Sequence, residues 1–181
     1  MSSYETIFFW VALLFYCLAC SGFIYSFIFI KPRLVPLMAS LVGVGLLLHS
    51  AAIGARFLAQ GHLPWSGEYE YALMGGWFIT AGTMMIGWRN RSLQALASVT
   101  VPLVILMMGY GFMSNPRLAP MAASLKSLWL YIHVYFAWLS FSAFSLAMAL
   151  GVLYLLKEKN AAQGGGIRCM SGCRHSPGWT S

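Results

Sequence analysis

Acidic residues are scarce in this chain of 181 residues. There are four of them (Glu5, Glu68, Glu70, Glu158), and all charged residues together make up 8% of the sequence. Soluble domains carry roughly 25% charged residues. So few charges cannot clothe a water-facing surface, and a soluble globular enzyme is excluded. Four carboxylates also leave little for acid–base catalysis or a proton path. No Ser/His/Asp set, no glycine-rich phosphate loop and no pair of helical carboxylates stands out. Cysteine is equally sparse, with four residues in all. Cys17 and Cys20 have C-x-x-C spacing, but they sit inside an apolar run with no ligand partner nearby in sequence, and read as packing residues.

What is present is 60% apolar. Five continuous apolar runs cover about 7–30, 34–59, 71–88, 93–113 and 127–156. Each is near or above the roughly 18–20 residues needed to cross a bilayer core. Their apolar residues do not alternate, so they predict helices rather than barrel strands. The fold class expected is an all-α, polytopic transmembrane bundle of about five spans. Glycines within the runs (Gly43, Gly45, Gly75, Gly76) suit close helix packing. The first run lacks a preceding Lys or Arg and exceeds a signal-peptide core in length, so it reads as a retained span.

The formal net charge of +7 does not point to nucleic acid, because the cations flank the apolar runs rather than forming one patch. Lys31, Arg33, Arg89, Arg91, Lys157, Lys159, Arg168 and Arg174 fall on one side. Arg117 and Lys126, with Arg56 if it snorkels outward, fall on the other. The bias places the N-terminus outside and the C-terminus inside. The polar loop GHLPWSGEYEYA (61–72) and the 115–126 loop are then both outside. Two domains are expected: a transmembrane domain over 1–156, and a disordered cytoplasmic tail over 157–181. From Asn160 that tail is rich in Gly, Ser and Cys, without periodicity. Cys169, Cys173 and His175 in it are three soft ligands without a fourth or a framing fold, too few for a zinc site.

Two histidines lie within apolar runs. His133 is near the outer end of the fifth, in LKSLWLYIHVYFAWLSFSAF (125–144), with Trp129 four residues earlier on the same helical face. Trp138, about 140° around the helix, is a flanking neighbour. A neutral imidazole beside aromatic rings suits haem iron. The competing reading is a histidine hydrogen-bonded to a neighbouring helix, beside tryptophans that anchor the bundle at the interface. His49 lies near the bilayer midplane, and Arg56 two turns further on shares its face, so that face points inward. His49 is either a deep haem ligand or a polar clasp. Arg56 and Glu70 are natural partners across the loop, and a guanidinium there can brace the bundle or hold a propionate. Trp65 is placed to dip into the headgroup region, and His62 to be exposed.

The run LHSAAIGARFLAQGHLPWSGEYEYAL (48–73), followed by LKSLWLYIHVYFAWLSFSAF, resembles the CcsA/ResC-type cytochrome c biogenesis proteins of maturation system II. The likeness spans about 34–156. It rests on G-H-x-P-W-S at the exit of the second run and S-x-W-L-x-x-H-V at the opening of the fifth. The resemblance implies an integral protein of the bacterial inner (cytoplasmic) membrane. Such a protein holds b-type haem, non-covalently and transiently, at the outer face and presents it for attachment to apocytochrome c. It works with a CcsB/ResB-type membrane partner. The resemblance makes His133 an iron ligand and so the metal-binding residue; on the reading of the residues themselves, Trp65, Trp129, Arg56 and His49 are further haem-site candidates. Gly67 stands where the family has Asn, while Tyr69 and Glu70 match. The tryptophan-rich WWD motif and a second outward histidine, expected beyond the His133 helix, do not occur in this sequence, which therefore reads as truncated before them. The alternatives are a small b-type cytochrome-like subunit with His49 and His133 as a bis-histidine pair, and a non-haem structural or transport subunit.

Overall fold

The computed structural model describes residues 3–29, 31–61, 67–114 and 128–162. Within them it is all-helical: α1 (Ser3–Ile28), α2 (Val35–Gln60), α3 (Glu68–Arg89), α4 (Ala97–Ser114) and α5 (Leu128–Ala162). Short 3-10 turns at Pro32–Leu34 and Arg91–Leu96 lead into α2 and α4. Every expected span is therefore a helix, with ends shifted by a few residues. The largest shift is at the end of α5, where residues 157–162 extend the helix instead of opening the tail. The basic and polar residues there leave helical hydrogen bonding intact once it has been nucleated.

Four helical stretches are long and apolar enough to cross a membrane: Ser3–Ser26, Val35–Gln60, Leu93–Ser114 and Leu128–Lys159. The stretch that falls short of the expected five is α3. At 22 residues it is about 33 Å long, but it carries Glu68, Glu70, Trp77, Thr80 and Thr83. Its position explains why this is tolerated. α1 and α2 form one antiparallel pair, and α3 and α4 another; α1 meets α4 and α2 meets α3, closing a four-helix bundle. α5 lies outside that bundle, mainly against α3. With neighbours on three sides, α3 can bury polar groups that satisfy each other. The hydroxyls of Thr80 and Thr83 donate to the carbonyls of Gly76 and Ile79 one turn back, and Trp77 Nε1 donates to Ser50 Oγ at 2.8 Å. Buried polar groups in a membrane require such partners.

Close approach between helices depends on small residues, as at Gly45 and Gly111. A methyl group on Gly45 would lie 2.6 Å from the ring of Tyr16, and one on Gly111 would lie 2.7 Å from Cβ of Ala72. Gly61 ends α2 in the left-handed region (φ 71°), its N–H donating to the Phe57 carbonyl, the conformation in which glycine is least strained. Cys20 is partly buried against the core and Cys17 is exposed on the outer side of α1. The apolar core runs through Phe9, Tyr16, Phe23, Val42, Leu73, Ile79, Val101 and Met108.

Candidate functional site

Among the described residues, two interior polar clusters hang on one face of α2. The first surrounds Arg56, which is 1% exposed. Arg56 Nη1 donates to Glu5 Oε1 at 2.8 Å, and Arg56 Nε donates to Glu70 Oε1 at 2.9 Å. The same Glu70 oxygen accepts from Gln60 Nε2. The ring of Tyr69 lies under the guanidinium, 4.6 Å from Cζ, a cation–π distance. Arg56 therefore does not snorkel outward. Glu5 and Glu70 are both within 2% of full burial, and a buried guanidinium and carboxylates are tolerable only when paired this closely. The brace to Glu70 was legible in the sequence. Glu5 was not, because nothing local ties residue 5 to residue 56. With both carboxylates on its guanidinium, Arg56 is poorly placed to receive a propionate.

The second cluster centres on His49, which is fully buried. Its Nδ1 shares a hydrogen bond with the hydroxyl of Tyr16 at 3.3 Å, and the two rings meet edge to face. Nε2 is buried and closes no hydrogen bond among the described residues. The ring fits against α3 at Gly76, where an added methyl would have Val104, His49 and Met108 within 4 Å. His49 is thus a clasp joining α1, α2 and α3.

His133 has a different setting. It lies five residues into α5, about 7.5 Å along the helix axis, and its side chain is exposed. Trp129, one turn earlier, is 77% exposed. Trp138 turns the opposite way: it is fully buried, stacked on Phe78 with ring centroids 5.9 Å apart and packed against Tyr71. It fastens α5 to α3 and does not flank His133. His49 sits in the four-helix interior and His133 on the exposed side of α5, so this chain does not bring them together as a bis-histidine pair. Among the described residues the imidazole of His133 and the ring of Trp129 are both exposed, so the face they share is open to a ligand. Trp65, His62, Arg117 and Lys126 lie outside the described residues, as do Cys169, Cys173 and His175. Among the described residues no group of three His, Cys, Asp or Glu side chains is arranged to hold a metal ion.

Comparison with known proteins adds a second line of argument. The family model described as cytochrome C assembly protein matches residues 65–176. That match takes in α3, α4 and α5 and continues past the point where the sequence becomes glycine-rich. Relatives named cytochrome c biogenesis protein CcsA align over more of the chain. The one from Microcystis aeruginosa is 30% identical over 129 residues, which is 69% of this chain and 39% of the relative. The one from Picosynechococcus sp. is 28% identical over 132 residues, 71% of this chain and 39% of the relative. The one from Porphyra purpurea is 27% identical over 128 residues, 68% and 39% respectively. The chain thus spans about two fifths of the length of these curated relatives. No solved structure matches it.

Proposed function

Because the chain belongs to the cytochrome C assembly protein family, an integral membrane protein group with a part in cytochrome c biogenesis, we propose that it handles haem at the outer membrane face for attachment to apocytochrome c. The observation that carries this reading is the setting of His133, an uncovered imidazole near one end of a long apolar helix with Trp129 beside it. The proposed role of His133 is to ligate the iron of b-type haem, held non-covalently and transiently. Trp129 would pack on the porphyrin, and Trp65 is a further aromatic candidate for that contact. The haem supplies the redox and thioether chemistry; the protein binds and orients it. The orientation has the N-terminus and the 61–67 and 115–127 connections outside, and the basic ends inside, in a bacterial inner membrane. Apocytochrome c and a CcsB/ResB-type membrane protein are the proposed partners. His49 and Arg56 serve this site by fixing the bundle and do not touch the haem.

The test is the absorption and pyridine haemochrome spectrum of the detergent-purified full chain, with His133→Ala and His49→Ala alongside. The expected result is haem in the parent protein and in His49→Ala, and its loss in His133→Ala. Haem kept by a folded His133→Ala protein overturns the assignment. A colourless parent protein from haem-replete cells favours a non-haem structural role, unless co-expression with the remaining portion of a CcsA relative restores the spectrum.

A further inference from the structure

A second feature lies on the flank of the bundle, between α3 and α4. It is an open groove of about 420 Å³ lined by Glu68, Tyr71, Ala72, Leu106, Met107 and Tyr110. Glu68 is the first residue of α3, and Tyr110 is one turn from the end of α4. Leu106 and Met107 lie one turn further in. The groove therefore starts at the level where helices leave the apolar layer and descends into it. Tyr71, Leu106 and Tyr110 are 46%, 71% and 61% exposed. Among the described residues no element covers this lateral surface.

Among the described residues lining the groove, the charged one is Glu68, an acid. Glu68 is exposed, and no cation among the described residues pairs with it; its partner is the Tyr110 hydroxyl, which donates to Oε2 at 3.4 Å. The other two carboxylates at this end, Glu5 and Glu70, are consumed by Arg56. An exposed carboxylate between two tyrosine rings, above an apolar trough, is complementary to an ammonium on an acyl chain. The carboxylate accepts its N–H donors, the ring faces attract its charge, and the trough covers methylenes. The carboxylate disfavours an anionic headgroup at the same place.

We propose that the α3–α4 groove is a binding site for a membrane lipid with a primary-ammonium headgroup, such as phosphatidylethanolamine. The ammonium rests on Glu68 between Tyr71 and Tyr110, and the acyl chain lies along Leu106 and Met107. This site is independent of the haem reading, since none of its residues belongs to the His133 face.

The experiment uses the delipidated full chain in detergent, offered an equimolar mixture of phosphatidylethanolamine, phosphatidylcholine and phosphatidylglycerol, with bound lipid read by native mass spectrometry. Phosphatidylethanolamine adducts should exceed phosphatidylglycerol adducts by about fivefold, the ratio one partly solvated ion pair supports. Glu68→Gln should abolish that preference, and Tyr110→Phe should reduce it. Leu106→Trp, which fills an exposed trough without disturbing the core, should deplete adducts of all three lipids. Glu158→Gln, at the far end of α5, should change nothing. Equal retention of the choline and ethanolamine lipids overturns the primary-ammonium assignment. A preference that survives both Glu68→Gln and Leu106→Trp overturns the site.

Discussion

His49 and His133 are the same side chain in opposite surroundings. The α1–α4 bundle seals His49 away, shares its Nδ1 with Tyr16 and fits its ring against Gly76. α5 lies outside that bundle and leaves His133 and Trp129 uncovered. The difference teaches that an ionisable residue in a membrane helix signals function only once its neighbours are known. An interior histidine bonded to one neighbouring helix and packed on another works as a cross-brace. An exterior histidine with nothing packed on it either costs free energy or awaits a ligand or partner.

The sharpest way to break this contrast is to attack the sealed region where its charge is concentrated. Arg56→Ala leaves Glu5 and Glu70 buried without their guanidinium and should destabilise the bundle by about 3–5 kcal/mol, measured by unfolding in mixed detergent micelles. Arg56→Met combined with Glu5→Gln and Glu70→Gln should recover much of that loss, because it removes the uncompensated charges together. If Arg56→Ala unfolds like the parent protein, the triad is not the brace described above.

Next in size is the steric contact that brings α1 onto α2. Gly45→Leu drives carbon into the ring of Tyr16, which already stands 2.6 Å from where a methyl would be. It should cost about 1–3 kcal/mol in the same assay. His49→Ala removes a filled site and a hydrogen bond together, and should cost about 2–3 kcal/mol while leaving haem content unchanged. Tyr16→Phe keeps the ring and deletes only the hydroxyl, for about 1 kcal/mol. The smallest stability effect should come from the exposed residue: His133→Ala should fall within about 0.5 kcal/mol of the parent protein, yet it is the variant expected to lose haem. A His133→Ala protein that is strongly destabilised would erase the contrast, since His133 would then be a brace as well.

Much of this molecule was legible in advance because lipid leaves the chain few choices. Long apolar runs have to become helices, since only a helix satisfies its own backbone there; all five are found. Arg56 with Glu70 was legible too, because the two residues flank one loop, and so was the shared inward face of His49 and Arg56, two turns apart. Trp138, which the sequence makes at best a flanking neighbour of His133, packs instead on Phe78 and Tyr71 of α3. The 140° step around the helix was correct, but nothing in the sequence said that α3 would lie on that side. α3 itself was counted among the ordinary spans, although its glutamates and threonines make it the helix most dependent on neighbours. The α3–α4 groove had no signal at all in the sequence.

The sequence by itself determined the class of the protein, the number and approximate limits of its helices, and the residues with chemical potential. It also carried the two motifs through which the family is recognisable. Tertiary structure alone decided which of those residues meet. Glu5 reaches Arg56 across 51 residues and Tyr16 reaches His49 across 33. The physical reason lies in how apolar residues are distributed. In a membrane helix they run all the way round, since lipid and core are equally greasy, so no apolar stripe marks the inner face. The rotation of each helix about its axis is fixed instead by small residues, aromatic rings and buried charges on other helices. That rotation placed His49 in the interior and left His133 outside.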